Sequence, residues 1–177
     1  MALRICLALL FTQVMLSHSA AAEPLGLLPN PDFETGLDGW RFRPGDVSQT
    51  ALVDAADRGK VLELRPEGRL LGVETEPLAL GREVKPDAAY RVEAQLKNDG
   101  LQKGVFAFSM YCFDAAGKSL QQIVFSSLST QSAPRDWRRV RGEFGPGTRS
   151  PLPAGTATVV LRFSFYEGAG DCRGTVV

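Results

Sequence analysis

Two alternating runs hold the side chains best suited to chemistry. In Tyr90–Lys97, the polar residues Arg91, Glu93, Gln95 and Lys97 interleave with Tyr90, Val92, Ala94 and Leu96. In Thr158–Tyr166, the residues Arg162, Ser164 and Tyr166 interleave with Val159, Leu161, Phe163 and Phe165. Guanidinium, carboxylate and amide groups are planar and form paired hydrogen bonds, which suits two neighbouring hydroxyls on one molecule. Tyr166 adds a flat ring, and Tyr111 adds another if its strand lies beside these. What the chain lacks is a histidine beyond His18. From Glu23 onward, that absence removes Ser–His and Cys–His nucleophile pairs, histidine general bases and most catalytic zinc sites.

His18 belongs to a segment read as a secretory signal. Arg4 supplies a positive start, Ile5–Leu16 an apolar run, and Ala20-Ala21-Ala22 a small-residue cleavage site. The apolar run is shorter than the roughly 20 residues that cross a bilayer. No cysteine follows it at a cleavage point, so a lipid anchor is not indicated. Cleavage near Ala22 leaves residues 23–177, a suitable length for one domain with its own core. The expected location is outside the cell or in the periplasm.

The whole chain is neutral, with 20 basic and 20 acidic residues, and loss of Arg4 brings it to −1. A neutral chain argues against nucleic acid as a partner. Its one basic run, Arg138-Arg139-Arg141, falls on an expected strand whose alternation splits it between two faces. That reading makes the run a solvated feature. Two cysteines follow the signal, Cys112 and Cys172. In an oxidising compartment they permit one disulfide, worth roughly 4 kcal/mol in the chain-entropy model, and two buried free thiols are the alternative.

Positioning these residues requires strands. Val61–Leu64 is short and β-prone. Gly104–Phe113 is apolar on both faces, as a central strand is. Asp114–Lys118 reads as a turn with Gly117 free to take positive φ, and Gln121–Ser127 as the returning strand. Trp137–Phe144 is a further strand, ended by Gly145-Pro146-Gly147. Gly174–Val177 reads as the start of a last strand. Helical periodicity is absent, with at most one helical turn in Ala51–Arg58. Many short strands with turns and no helices imply an all-β protein, a single jelly-roll β-sandwich of two antiparallel sheets.

The order of the motifs resembles a known group. Asn30-Pro31-Asp32-Phe33-Glu34 with Gly36, Leu37, Gly39 and Trp40 resembles the opening of CenC-like carbohydrate-binding modules, families four, nine and twenty-two. Tyr90-Arg91-Val92, Asp114-Ala115-Ala116-Gly117-Lys118, and Trp137 with Val140, Gly142 and Phe144 match its later strands in order. Val159–Val177 is similar to its final strand pair. That group shares a galactose-binding-like jelly roll.

The resemblance implies a monomeric, non-catalytic module that binds a poly- or oligosaccharide in a concave sheet. It places the strands Tyr90–Lys97 and Thr158–Tyr166 in one sheet, with Arg91, Glu93, Gln95, Arg162, Ser164 and Tyr166 lining the cleft. Trp40 and Trp137 become core residues. Glu93 then has no clear second acid, so a glycosidase pair is missing, and nothing poises Lys97 with Tyr166. No cofactor is required. Relatives often hold a structural calcium near the opening motif, and Asp32 and Glu34 match that part. The family's Asp-Asp pair after the last valine-rich strand does not appear before Val177. The alternative is a secreted interaction domain that keeps the sandwich without binding sugar.

Overall fold

The computed structural model describes residues 26, 28, 30–42, 50–56, 58–65, 72–97, 104–129 and 136–166. The signal segment, Cys172 and Gly174–Val177 lie outside the described residues. Ten strands follow one another among the described residues: β1 Trp40–Phe42, β2 Thr50–Ala55, β3 Gly59–Leu64, β4 Gly72–Thr75, β5 Leu78–Ala79, β6 Tyr90–Leu96, β7 Val105–Phe113, β8 Ser119–Ser129, β9 Arg138–Phe144 and β10 Thr158–Tyr166. No helix occurs among the described residues. Residues 50–55, the start of the stretch expected to allow a helical turn, form a strand. Register places Leu52 opposite Leu62, so the chain uses this segment to bury leucines.

The strands form a β-sandwich. One layer runs β1-β4-β10-β7-β8, with β5 also on β10, and the hairpin β2–β3 and the pair β6–β9 make separate two-stranded sheets. All recorded strand pairings are antiparallel. One apolar cluster joins them, from Leu62 and Leu64 through Leu96, Val140 and Phe144 to Phe106, Phe108, Met110 and Phe165. Phe163 stacks on Phe108 with ring centres 4.6 Å apart, and Phe165 meets Phe106 edge-on at 5.0 Å. As its composition implies, β7 is central, between β10 and β8.

The opening motif is a turn organised by Asn30. Its Nδ2 donates to the carbonyls of Gly36 (2.9 Å) and Asp38 (3.2 Å), while its Oδ1 accepts from the N–H of Thr35. Trp40 Nε1 donates to the Asn30 carbonyl at 2.9 Å. The turn holds Phe33 at φ 59, an uncommon conformation for a residue other than glycine. It also packs Phe33 on Trp40 at 5.1 Å. Asn30→Ala strands three backbone groups and should cost about 2 kcal/mol by denaturant titration.

Cys112 is fully buried on the core side of β7. Burial pushes its thiol pKa up, against a smaller lowering by a hydrogen bond with Thr156. A raised pKa depletes the thiolate near pH 8, and burial blocks access. Under reducing, native conditions Cys112 should be alkylated at least about tenfold more slowly than in denaturant. Peptide mass mapping reads this for Cys112 alone.

Candidate functional site

The sheet register aligns one rung across five of the six strands of the larger layer. Arg41 faces Glu74, Glu74 faces Arg162, Arg162 faces Ser109, and Ser109 faces Val124. Directly paired residues share a face. Their chain neighbours Val73, Phe108, Met110, Leu161 and Phe163 point into the apolar cluster, so this rung points outward. The flanking outward rungs are Gly72–Ser164–Ala107–Ser127 and Val160–Tyr111–Gln122.

This outward face is a trough. Ala107, Ser109, Val160 and Ser164 lie away from the core, yet are 1%, 0%, 4% and 9% exposed. Short side chains on a solvent-side face become buried when taller neighbours rise around them. Arg162, Glu74 and Tyr111 are those neighbours. Arg162 Nε donates to Glu74 Oε2 at 2.7 Å, and its Nη2 donates to the same oxygen. The guanidinium also lies 4.1 Å from the centre of the Tyr111 ring, a cation–π contact. Arg41 approaches Glu74 at 3.9 Å and Glu76 at 3.8 Å. Two guanidiniums therefore face two carboxylates, and the rim is close to neutral. On the floor, the Ser109 hydroxyl is buried with no hydrogen-bond partner among the described residues. Buried polar atoms are normally satisfied, so the Ser109 hydroxyl stands out on this floor.

The expected site divides between two sheets. Arg162, Ser164 and Tyr111 come together on this face. Ser164, expected to line a surface, is part of the buried floor. Tyr166 belongs to β10, and its side chain lies outside the described residues. Arg91, Glu93 and Gln95 are elsewhere, because β6 pairs with β9 and not with β10. The alternation itself holds: all three are exposed, opposite Glu143, Arg141 and Arg139. Arg91 pairs with Glu143 at 3.3 Å and Glu93 with Arg141 at 2.8 Å. Gln95 accepts from Arg58. Adjacency of β6 and β10 came from the resemblance alone, and the sheet order corrects it.

Other expectations shift as well. Trp40 is half-buried against the core and Phe163. Trp137 is only partly buried and lies 5.0 Å from the Arg58 guanidinium, outside the core cluster. It sits one residue before β9 begins, where the sheet no longer covers it. Asp32 and Glu34 are exposed, and the Asp32 carboxylate accepts from the Glu34 N–H at 3.4 Å. Calcium takes six to eight oxygens, and no group of three His, Cys, Asp or Glu suited to a metal exists among the described residues. Sequence reasoning missed Arg41, Glu74, Ser109, Gln122 and Val124. The signal available was Gly72–Thr75, where Val73 and Glu74 alternate in a strand of only four residues.

No family model matches the chain, and no curated protein matches it. Solved structures do. The C-terminal family 22 carbohydrate binding module of Clostridium thermocellum Xyn10B is 14% identical, with a TM-score of 0.57 over 82% of this chain and 85% of that one. The CBM22-2 xylan-binding domain of Paenibacillus barcinonensis Xyn10C is 15% identical, with a TM-score of 0.53 over 82% of this chain and 96% of that one. The enzymatically active domain of bacteriophage CBA120 tailspike protein 4 is 10% identical, with a TM-score of 0.55 over 83% of this chain and 19% of that one. The fold is the jelly-roll sandwich of carbohydrate-binding modules. At these identities the likeness is one of fold.

Proposed function

We propose that the outward face of the six-stranded sheet binds a neutral poly- or oligosaccharide without acting on it. The observation that carries this reading is the rung Arg41–Glu74–Arg162–Ser109–Val124. It presents fixed planar donors and acceptors, a buried hydroxyl with no partner among the described residues and a near-neutral rim above a floor of small side chains. Sugar hydroxyls need such paired groups. The Arg162–Tyr111 stack supplies a flat surface for the C–H side of a ring. The xylan-binding domain with the same fold supports the ligand class. Catalysis has little to work with. Glu74 is tied to Arg162 and faces Arg41, and a glycosidase needs two carboxyl groups free to flank a bond. The protein acts after export, once cleaved near Ala22, and as a monomer.

Affinity electrophoresis in soluble xylan and in mixed-linkage glucan tests the reading. Retardation of the folded protein by either polymer is the expected result. Migration unchanged in every neutral polysaccharide removes the proposal. That outcome favours a secreted interaction domain, a reading that Val124 supports: it is 52% exposed on this face, as an apolar contact residue for a protein partner is.

A further inference from the structure

The basic run Arg138-Arg139-Arg141 has no part in the trough, and the structure gives it a different setting from the one its alternation implies. The strand β9 pairs only with β6, and β8 only with β7, so each is an edge strand among the described residues. A groove with a cavity volume of about 280 Å³ runs between them. Phe125, Ser126 and Ser127 line one side, and Arg138, Arg139 and Arg141 the other. Alternation does split the arginines, since Arg139 and Arg141 share the outer face with Gln95 and Glu93 while Arg138 lies opposite Leu96. At a sheet edge both faces border the same opening, and all three arginines line one groove.

The charge in this groove is unbalanced. Glu93 is the carboxylate that meets the run, at 2.8 Å from Arg141 and 3.9 Å from Arg139. Arg138 is exposed and has no ion pair among the described residues. Among the described residues, three cations against one anion leave the groove positive. It is also continuous with the trough. The two surfaces meet at Ser127, which ends the outward rung Gly72–Ser164–Ala107–Ser127 and also lines the groove. A bulge, in which Ser109 faces Val124 and Phe108 faces Ser126, carries the strand from one setting to the other.

We infer that this groove binds the carboxylates of an acidic polysaccharide whose backbone lies in the trough. Guanidinium forks match carboxylates in a bidentate way, and the two serine hydroxyls complete a polar wall for a sugar ring. The volume is at the small end for ligand sites and suits one substituent rather than a chain. The continuity across β8 favours a glycan over an acidic peptide. This inference rests on the glycan reading of the trough, and the test separates the two.

Affinity electrophoresis compares a glucuronic-acid-bearing xylan with the same polymer after its carboxyl groups are reduced to neutral alcohols. The native polymer should bind about fivefold more tightly at low salt, the scale of two exposed charge pairs. The gap should close at about 0.5 M salt, where such pairs are screened. It should also close in Arg138→Gln/Arg139→Gln, with binding of the reduced polymer and the melting temperature unchanged. Equal binding of both polymers overturns the groove and leaves the trough standing. Binding of neither overturns both. Tighter binding of polyglutamate than of the acidic xylan, lost in the same double variant, replaces the ligand class with an acidic peptide and overturns the inference as drawn.

Discussion

Arg162→Ala should reduce polysaccharide affinity about 100-fold, roughly 2.7 kcal/mol. Arg162 stands at the centre of the rung: it pairs with Glu74, lies over Tyr111 and is in register with Ser109. Removing it deletes the planar donors and uncovers the Tyr111 ring, and leaves Glu74 facing only the more distant Arg41. A side chain 15% exposed and bound to a carboxylate 20% exposed also matters to folding. The same variant should therefore lose about 1–2 kcal/mol of stability, short of unfolding it. Arg162→Lys separates charge from shape. Lysine keeps the cation but not the fork or the flat stack, so about a tenfold loss is expected. Gln95→Ala is the matched control. Gln95 sits on the β6–β9 sheet beside Arg58, and its loss should leave trough binding unchanged. Titration calorimetry at one salt concentration, with thermal melts of each variant, checks all three. Full binding by a folded Arg162→Ala protein would move the site off this face.

The contrast between Arg162 and Gln95 shows what was legible in the sequence. Alternation is local, because a one-residue slip exposes a whole apolar face. It therefore placed Arg91, Glu93 and Gln95 outward. Turn chemistry is local too and marked the hairpin at Asp114, where Asp114 Oδ1 accepts from the N–H groups of Ala116 and Lys118 and Gly117 takes φ 78. Which strands lie side by side is a long-range choice that no local pattern encodes. Tyr90 could turn toward Phe144 or toward any other apolar face, and stacking on Phe144 at 5.1 Å settled it. Glu74 was invisible for a related reason. Its strand has four residues, too few for alternation to register, and its role arises only because β10 lies beside it. Ser109 was hidden by composition, since a small polar residue in an apolar strand resembles a core concession until its hydroxyl is seen to face the trough.

Gly142→Ala should destabilise the protein by about 3 kcal/mol, with no change in its charge or its trough residues. The reason lies in the bulge of β8. Two residues of β8, Phe125 and Ser126, occupy the interval where one would follow Val124 in a regular ladder. Alternation turns the Phe125 ring inward, where it meets Phe108 at 5.3 Å, and the extra residue brings Ser126 opposite Phe108. Its other neighbour is Gly142 on β9. A Cβ added at Gly142 would stand 2.2 Å from Phe125 Cδ1, 2.3 Å from its Cγ and 2.8 Å from its Cβ. Moving the far end of the ring does not relieve a clash that includes its root. The ring must leave, or the β8 and β9 edges must part. Conformational freedom is not the issue, because Gly142 is not among the glycines with positive φ. At this chain length about 3 kcal/mol lowers the melting temperature by roughly 10 °C. The clash also makes a second variant informative. Phe125→Leu removes ring atoms that the new methyl meets, so Gly142→Ala/Phe125→Leu should cost less than the sum of the single changes. Strict additivity in that cycle would show that the ring does not close the two layers at this point. The groove between β8 and β9 would then need a different wall.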